Sequence, residues 1–222
     1  NDRQNSQHPI HAAISASSDT HHPGMIVAST PGRARRRCQG AGQPGTCHHV
    51  WVVEVQRAGP ANWETVKLMR LRALADSPRS FGSTLAREVR FDDEQWQRRV
   101  AGGNWFLAWS RGCPVGLIAA IAEDGRPDER HLVAMWVEPE RRGSGAAAAL
   151  MKTVCEWARV DGAASVTLWV ADGNLRARRF YERLGFRSTG ERQPLPSAPE
   201  ISEERMHRPL APMTGRSASD PR

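Results

Sequence analysis

Residues 132–150 read LVAMWVEPERRGSGAAAAL, and the order of residue types in that stretch decides the fold. Leu132 to Val137 is an apolar, partly β-branched run, which predicts a strand. Glu138 and Pro139 close it. Gly143, Ser144 and Gly145 then open a helix expected from about Gly145 to Val160, ended by Asp161-Gly162. A strand that passes through glycines into a helix N-terminus presents backbone N–H groups in a small concavity. Those donors and the helix dipole together favour a phosphate-sized anion. The alanines 146–149 let the helix pack closely on a sheet beneath it. No Gly-Lys-Ser/Thr follows, so the loop is not a Walker A loop, and it lacks the third glycine of a dinucleotide fingerprint.

On the N-terminal side, Val50 to Val55 reads as a strand and Trp63 to Leu74 as an amphipathic helix, stopped by Asp76-Ser77-Pro78. Asp92 to Val100 predicts a second helix, with Trp96 facing inward and acids in its first turn. Trp105–Trp109 and Val115–Ala122 are strands around a turn at 110–114, and 124–128 reads as a further turn. On the C-terminal side come a strand at Val166–Val170, a helix at Leu175–Leu184 ended by Gly185, a Pro-rich loop at 194–199 and a last strand at Glu204–Arg208. The order β-α-α-β-β-β-α-β-α-β predicts an α/β fold, a mixed sheet with helices on its faces.

The formal charge is +7, but residues 1–48 hold five arginines against two aspartates and residues 211–222 add one more positive charge, leaving +3 for the middle. That excess suits a small anionic ligand better than a nucleic acid. Residues 1–48 lack apolar periodicity and are expected to be a disordered basic tail, 49–210 the domain, and 211–222 a flexible C-terminal tail. No apolar run is long enough to span a membrane and no secretory signal is visible, so a soluble, cytoplasmic protein is expected. The four cysteines do not resemble a disulfide framework and are expected to stay reduced. Cys38, Cys47, His48 and His49 do not match zinc-ligand spacing, and no metal is expected.

Arg142-Gly143-Ser144-Gly145-Ala146-Ala147 resembles the Arg/Gln-x-x-Gly-x-Gly/Ala motif of GCN5-related (GNAT) acetyltransferases, with Val137-x-Pro139 before it at the usual distance. A second segment, Asn174 to Phe186, is similar to the family's Asn-x-x-Ala-x-x-x-Tyr-x-x-x-Gly-Phe signature at Asn174, Ala177, Tyr181, Gly185 and Phe186. The resemblance covers about residues 50–210. It implies a central mixed, mostly antiparallel twisted sheet with helices on both faces, and acetyl transfer from acetyl-coenzyme A to an amine. The amine would belong to a small molecule, a protein N-terminus or a lysine, and relatives often form homodimers.

The resemblance further implies that the amides of Arg142, Gly143, Ser144, Gly145, Ala146 and Ala147 hold phosphate oxygens. Met135, Trp136 and Val137 would flank the pantetheine arm, and Asn174 would contact the cofactor. Tyr181, the single tyrosine in the chain, would protonate the departing thiolate. Arg176, Arg178 or Arg179 could reach a phosphate, or form a solvated helix face. For the base, His131 lies close to where some relatives carry a glutamate, and its ordinary pKa suits proton transfer near neutrality. The alternative is a partly exposed strand-end histidine, with Glu129 and Asp128 as further candidates in the same turn.

Overall fold

The computed structural model describes residues 52–211. The expected tail at 1–48, nearly all of that at 211–222, and Val50 and Trp51 lie outside the described residues. The elements are β1 (Glu54–Arg57), α1 (Trp63–Asp76), α2 (Leu85–Glu88), α3 (Asp93–Ala101), β2 (Asn104–Ser110), β3 (Cys113–Glu123) and β4 (Arg126–Val137), then α4 (Ala146–Val160), β5 (Ser165–Ala171), α5 (Leu175–Arg183), β6 (Arg187–Leu195) and β7 (Ala198–Pro209). Seven strands form one sheet in the order β1-β2-β3-β4-β5-β7-β6, antiparallel throughout except between β4 and β5. This is the mixed sheet the sequence predicts.

Two apolar layers sandwich it. Leu150, Met151, Val154 and Ala158 of α4 pack with Tyr181 of α5 and Phe106, Ile118 and Leu132 of the sheet. On the opposite face, Val66, Met69, Ala73 and Leu74 of α1 meet Leu107, Leu117 and Trp136. Leu132 and Trp136, four apart, would share a face of a regular strand; the register shift between them puts them in opposite layers. α3 begins with a reciprocal cap. The Gln95 amide donates to Asp92 at 2.7 Å, while the Asp92 amide donates to the Gln95 side chain at 2.9 Å.

Three local expectations are corrected. The turn expected at 124–128 is only Asp124-Gly125, because Glu123 pairs with Arg126. A two-residue Asp-Gly turn matches the strand twist, and Gly125 at φ +75° supplies the left-handed conformation it needs. The Pro-rich loop at 194–199 is instead the end of β6, a tight turn and the start of β7. β6 itself shows no apolar alternation because it is a mostly exposed edge strand, where Pro194 costs no interior ladder bond. Of the described cysteines, Cys155 is a buried free thiol, whereas Cys113 is disulfide-bonded rather than reduced.

A buried ion pair ties α1 to α2. The Arg70 guanidinium donates to both Glu88 oxygens, at 2.9–3.2 Å, with both side chains almost fully enclosed. Glu88→Ala leaves that guanidinium without its main counter-charge. We expect a loss of about 3–5 kcal/mol in urea-unfolding stability.

Candidate active site

The defining feature of the site is a split in the sheet. β4 and β5 pair from Glu129–Ser165 to Leu132–Leu168 and no further. Beyond that point β4 continues to Val137 against β3, and β5 to Ala171 against β7. The cause lies in β4. Between the pairs Ala119–Val133 and Leu117–Trp136, β4 advances three residues while β3 advances two. The extra residue falls at Ala134, whose φ is +59°. A bulge bends and twists its strand, here away from β5. A left-handed alanine costs about 1–2 kcal/mol, and such strain concentrates at functional sites. The split leaves the β5-facing backbone groups of residues 133–137 without a strand partner.

A cavity of about 90 Å³ sits in the split. Met151 and Tyr181 reach it from the α4–α5 face, and Phe81 and Ala134 from the α1 side, so it joins the two faces of the sheet. Met135, His131, Trp169 and Glu203 also line it. Of the two neighbours Met135 and Trp136, Met135 faces the cavity.

From the end of β4 at Val137 the chain runs through the glycine loop into the N-terminus of α4. The amides of Arg142 and Ser144 are already engaged, donating to Pro139 O and Arg141 O at 3.2 Å. The amide of Ala146 is held only loosely, 3.4 Å from Ser144 Oγ. No acceptor among the described residues engages the amides of Gly143, Gly145 or Ala147. Gly143 and Gly145 have φ of +91° and +90°, and a Cβ on either would meet open space within 4 Å. The loop is therefore glycine-rich for its backbone conformation, and the space beside it is clear. Free N–H groups at a helix start beside clear space can hold an anion.

The Arg142 side chain turns back from that space. Its Nε donates to Val137 O at 3.1 Å and its Nη2 to Asp76, which also accepts from Trp136 Nε1 at 2.9 Å. Burial alone would raise the Asp76 carboxyl, but hydrogen bonds from Trp136, Ser77 and Arg142 outweigh it and hold the group below its ordinary range. Asp76 therefore ties the end of α1 to β4 and the glycine loop. Asp76→Ala removes the acceptor of three donors, Trp136, Ser77 and Arg142, and we expect a loss of about 1–3 kcal/mol. Because the folded pKa is depressed, this stabilisation is present above the unfolded value and disappears as pH falls through the folded one. The variant and the parent should approach each other in thermal melts as the pH falls below the ordinary carboxylate range.

Asn174 caps α5, accepting from the Ala177 amide at 3.1 Å, while its Nδ2 donates to Ser80 Oγ at 3.3 Å. Tyr181, on that helix, is 8% exposed and packs between Phe180 and Phe186, with ring centroids 5.4 and 5.7 Å away. Burial pushes its phenol well above the usual range, so it stays protonated across ordinary pH. Arg178 is ion-paired with Glu204, whereas Arg176 and Arg179 are exposed.

His131 is not at a strand end. It sits inside β4, 5% exposed, paired with Ile121 and Thr167, its Nδ1 3.0 Å from Thr167 Oγ1 and 3.6 Å from Glu123. Glu129 is bound to Arg205 and Arg126, away from the cavity lining. Tyr181, His131 and Met135 thus share one cavity, whereas no residue of the glycine loop lines it. Two lining features were not read from the sequence. Ala134 looks like any strand alanine, and Glu203 lies in a segment expected to be irregular.

Residues 69–186 match the model of the acetyltransferase (GNAT) family. The chain belongs to that family. N-acetyltransferase 8F1 of Rattus norvegicus is 32% identical over 129 residues, 56% of this chain and 58% of that one. An uncharacterized N-acetyltransferase of Methanocaldococcus jannaschii, MJ1207, is 31% identical over 96 residues, 41% of this chain and 42% of that one. The chain spans about half the length of the curated relatives it matches. A GNAT acetyltransferase from Streptococcus pneumoniae superposes with TM-score 0.61 at 18% identity, over 72% of this chain and 100% of the other. A GNAT protein from Kribbella flavida gives 0.58 at 22%, over 71% and 98%. These likenesses show that the GNAT fold spans the described sheet. Among the described residues, no helix is long and apolar enough to cross a membrane.

Proposed function

We propose that this chain is an N-acetyltransferase that moves an acetyl group from acetyl-coenzyme A to a primary amine by direct transfer, acting in the cytoplasm. The observation that carries this reading is the split between β4 and β5, with Tyr181 lining its cavity and free amides in the loop that follows β4. The amides of Gly143, Gly145 and Ala147 suit the diphosphate, and the unpaired β4 edge at 133–137 suits the amide-bearing pantetheine arm. Neither interaction requires the Arg142 side chain, which Asp76 already engages.

In this mechanism a backbone N–H of the bulged β4 segment polarises the thioester carbonyl as negative charge builds on its oxygen. The deprotonated amine attacks from the α1 side of the sheet. Tyr181 then donates its proton to the leaving thiolate. His131, with its Nδ1 near Thr167 and Glu123, is placed to relay a proton out of the cavity.

The test is release of free thiol from acetyl-coenzyme A across a panel of small amines, peptides and lysine-bearing substrates. Amine-dependent thiol release matched by acetylated product supports the reading. Saturable binding with no thiol release for any amine marks a sensor or scaffold instead.

A further inference from the structure

Two acidic residues are buried among the described residues, Glu88 and Glu203. Glu88 faces Arg70 and Arg99. Glu203, 6% exposed on β7, faces no cation. Its one side-chain hydrogen bond comes from Gln193 Nε2 on β6, at 2.7 Å to Oε1, and Oε2 is left without a partner. It lines the same cavity as Tyr181 and His131. A buried carboxylate without a counter-charge is costly, and such sites usually serve a ligand.

We propose that Glu203 receives the acceptor's ammonium group and takes its proton, and that the acceptor is a primary amine on an apolar body with no carboxylate beside the nitrogen. This rests on the acetyl-transfer reading. The second half follows from the lining. Phe81, Val133 and Trp169 line the cavity together with Glu203, and among the described residues no arginine or lysine does. Arg205, two residues along the same face of β7, is buried against Glu123, Glu129 and Thr167. A substrate carboxylate would therefore enter beside a like charge with no cation to receive it.

The proton balance is simple. The ammonium gives one proton to Glu203, and the free amine attacks the thioester carbon. The C–N bond forms and the C–S bond breaks. Tyr181 protonates the sulfur and is restored by the proton left on nitrogen, and Glu203 returns its own to solvent. Burial raises the Glu203 carboxyl above its ordinary range and the Gln193 amide pulls it partly back. The other ionisable groups facing the cavity are His131 and Tyr181.

The experiment compares kcat/KM for phenethylamine and phenylalanine, which differ by one carboxylate, as a function of pH in the parent, Glu203→Gln and Glu203→Asp. We expect phenethylamine to be preferred by on the order of tenfold or more. Glu203→Gln should lower its kcat/KM about a hundredfold and lose the rise on the acidic side, with Glu203→Asp restoring that rise. Acetyl-coenzyme A affinity should be unchanged. Because the folded carboxyl holds its proton more tightly than the unfolded one, Glu203→Gln should also melt higher than the parent at pH 8 and equally at pH 4. An unaltered acidic limb in Glu203→Gln, or equal use of phenylalanine, overturns the proposal while an active parent leaves acetyl transfer standing. A parent that releases no thiol with any amine overturns both.

Discussion

Replacing Gly143 and Gly145 together by valine weakens acetyl-coenzyme A binding by on the order of a thousandfold and leaves the domain folded. Both residues hold φ near +90°, where a residue with a Cβ costs about 1–2 kcal/mol. The valine variant relieves that strain by rotating the loop peptides. The amides of Gly143 and Gly145 are then turned from their present directions. Hydrogen bonds to a charged group contribute about 1.5–3 kcal/mol each, so losing two reaches the stated factor. The fold survives because each new Cβ enters open space rather than core. Calorimetric titration reads the affinity, and a thermal melt should show a fall on the order of 5–10 °C. Unchanged affinity in a variant that folds would show that these amides do not hold the ligand.

Tyr181→Phe lowers kcat about a thousandfold with little change in acetyl-coenzyme A affinity, as removal of a positioned general acid does. The ring stays, so packing against Phe180 and Phe186 is retained, and only the hydroxyl is lost. That hydroxyl has no hydrogen-bond partner among the described residues, so its removal orphans nothing. Its raised pKa, caused by burial, means the parent should show no loss of activity from tyrosine ionisation up to pH 9. Steady-state kinetics with a chromogenic thiol reagent separates the two terms. A kcat within threefold of the parent would remove Tyr181 from the chemistry and leave it a core residue.

How much of this was legible in the sequence depended on how local each signal was. The step from Val137 through Gly143 and Gly145 into the alanine-rich start of α4 is written in consecutive residues, so the strand, the glycine loop and the helix could be read. The Asn174 cap and the Tyr181 face of α5 were readable for the same reason. β6 was not, because an exposed edge strand built from Arg187, Ser188, Thr189 and Glu191 carries no alternation. Nor was the role of Arg142 as a brace. Its partner Asp76 is sixty-six positions away, and that pairing exists only once α1 docks on β4. The split itself depends on a bulge at Ala134 that nothing in the alanine announces. Glu203 shows the same limit most sharply. Its neighbour Arg205 looks like a ready partner in the sequence, and only the folded sheet shows that Arg205 is committed to Glu123 and Glu129 instead.

The most direct measurement is a calorimetric titration of the full chain with acetyl-coenzyme A, repeated with acetylpantetheine, which lacks the diphosphate and nucleotide. Binding in the split with the diphosphate at the head of α4 predicts one saturable site for the whole molecule and much weaker uptake of the truncated one. No saturable heat with well-folded protein, or equal affinity for the two compounds, would contradict the account.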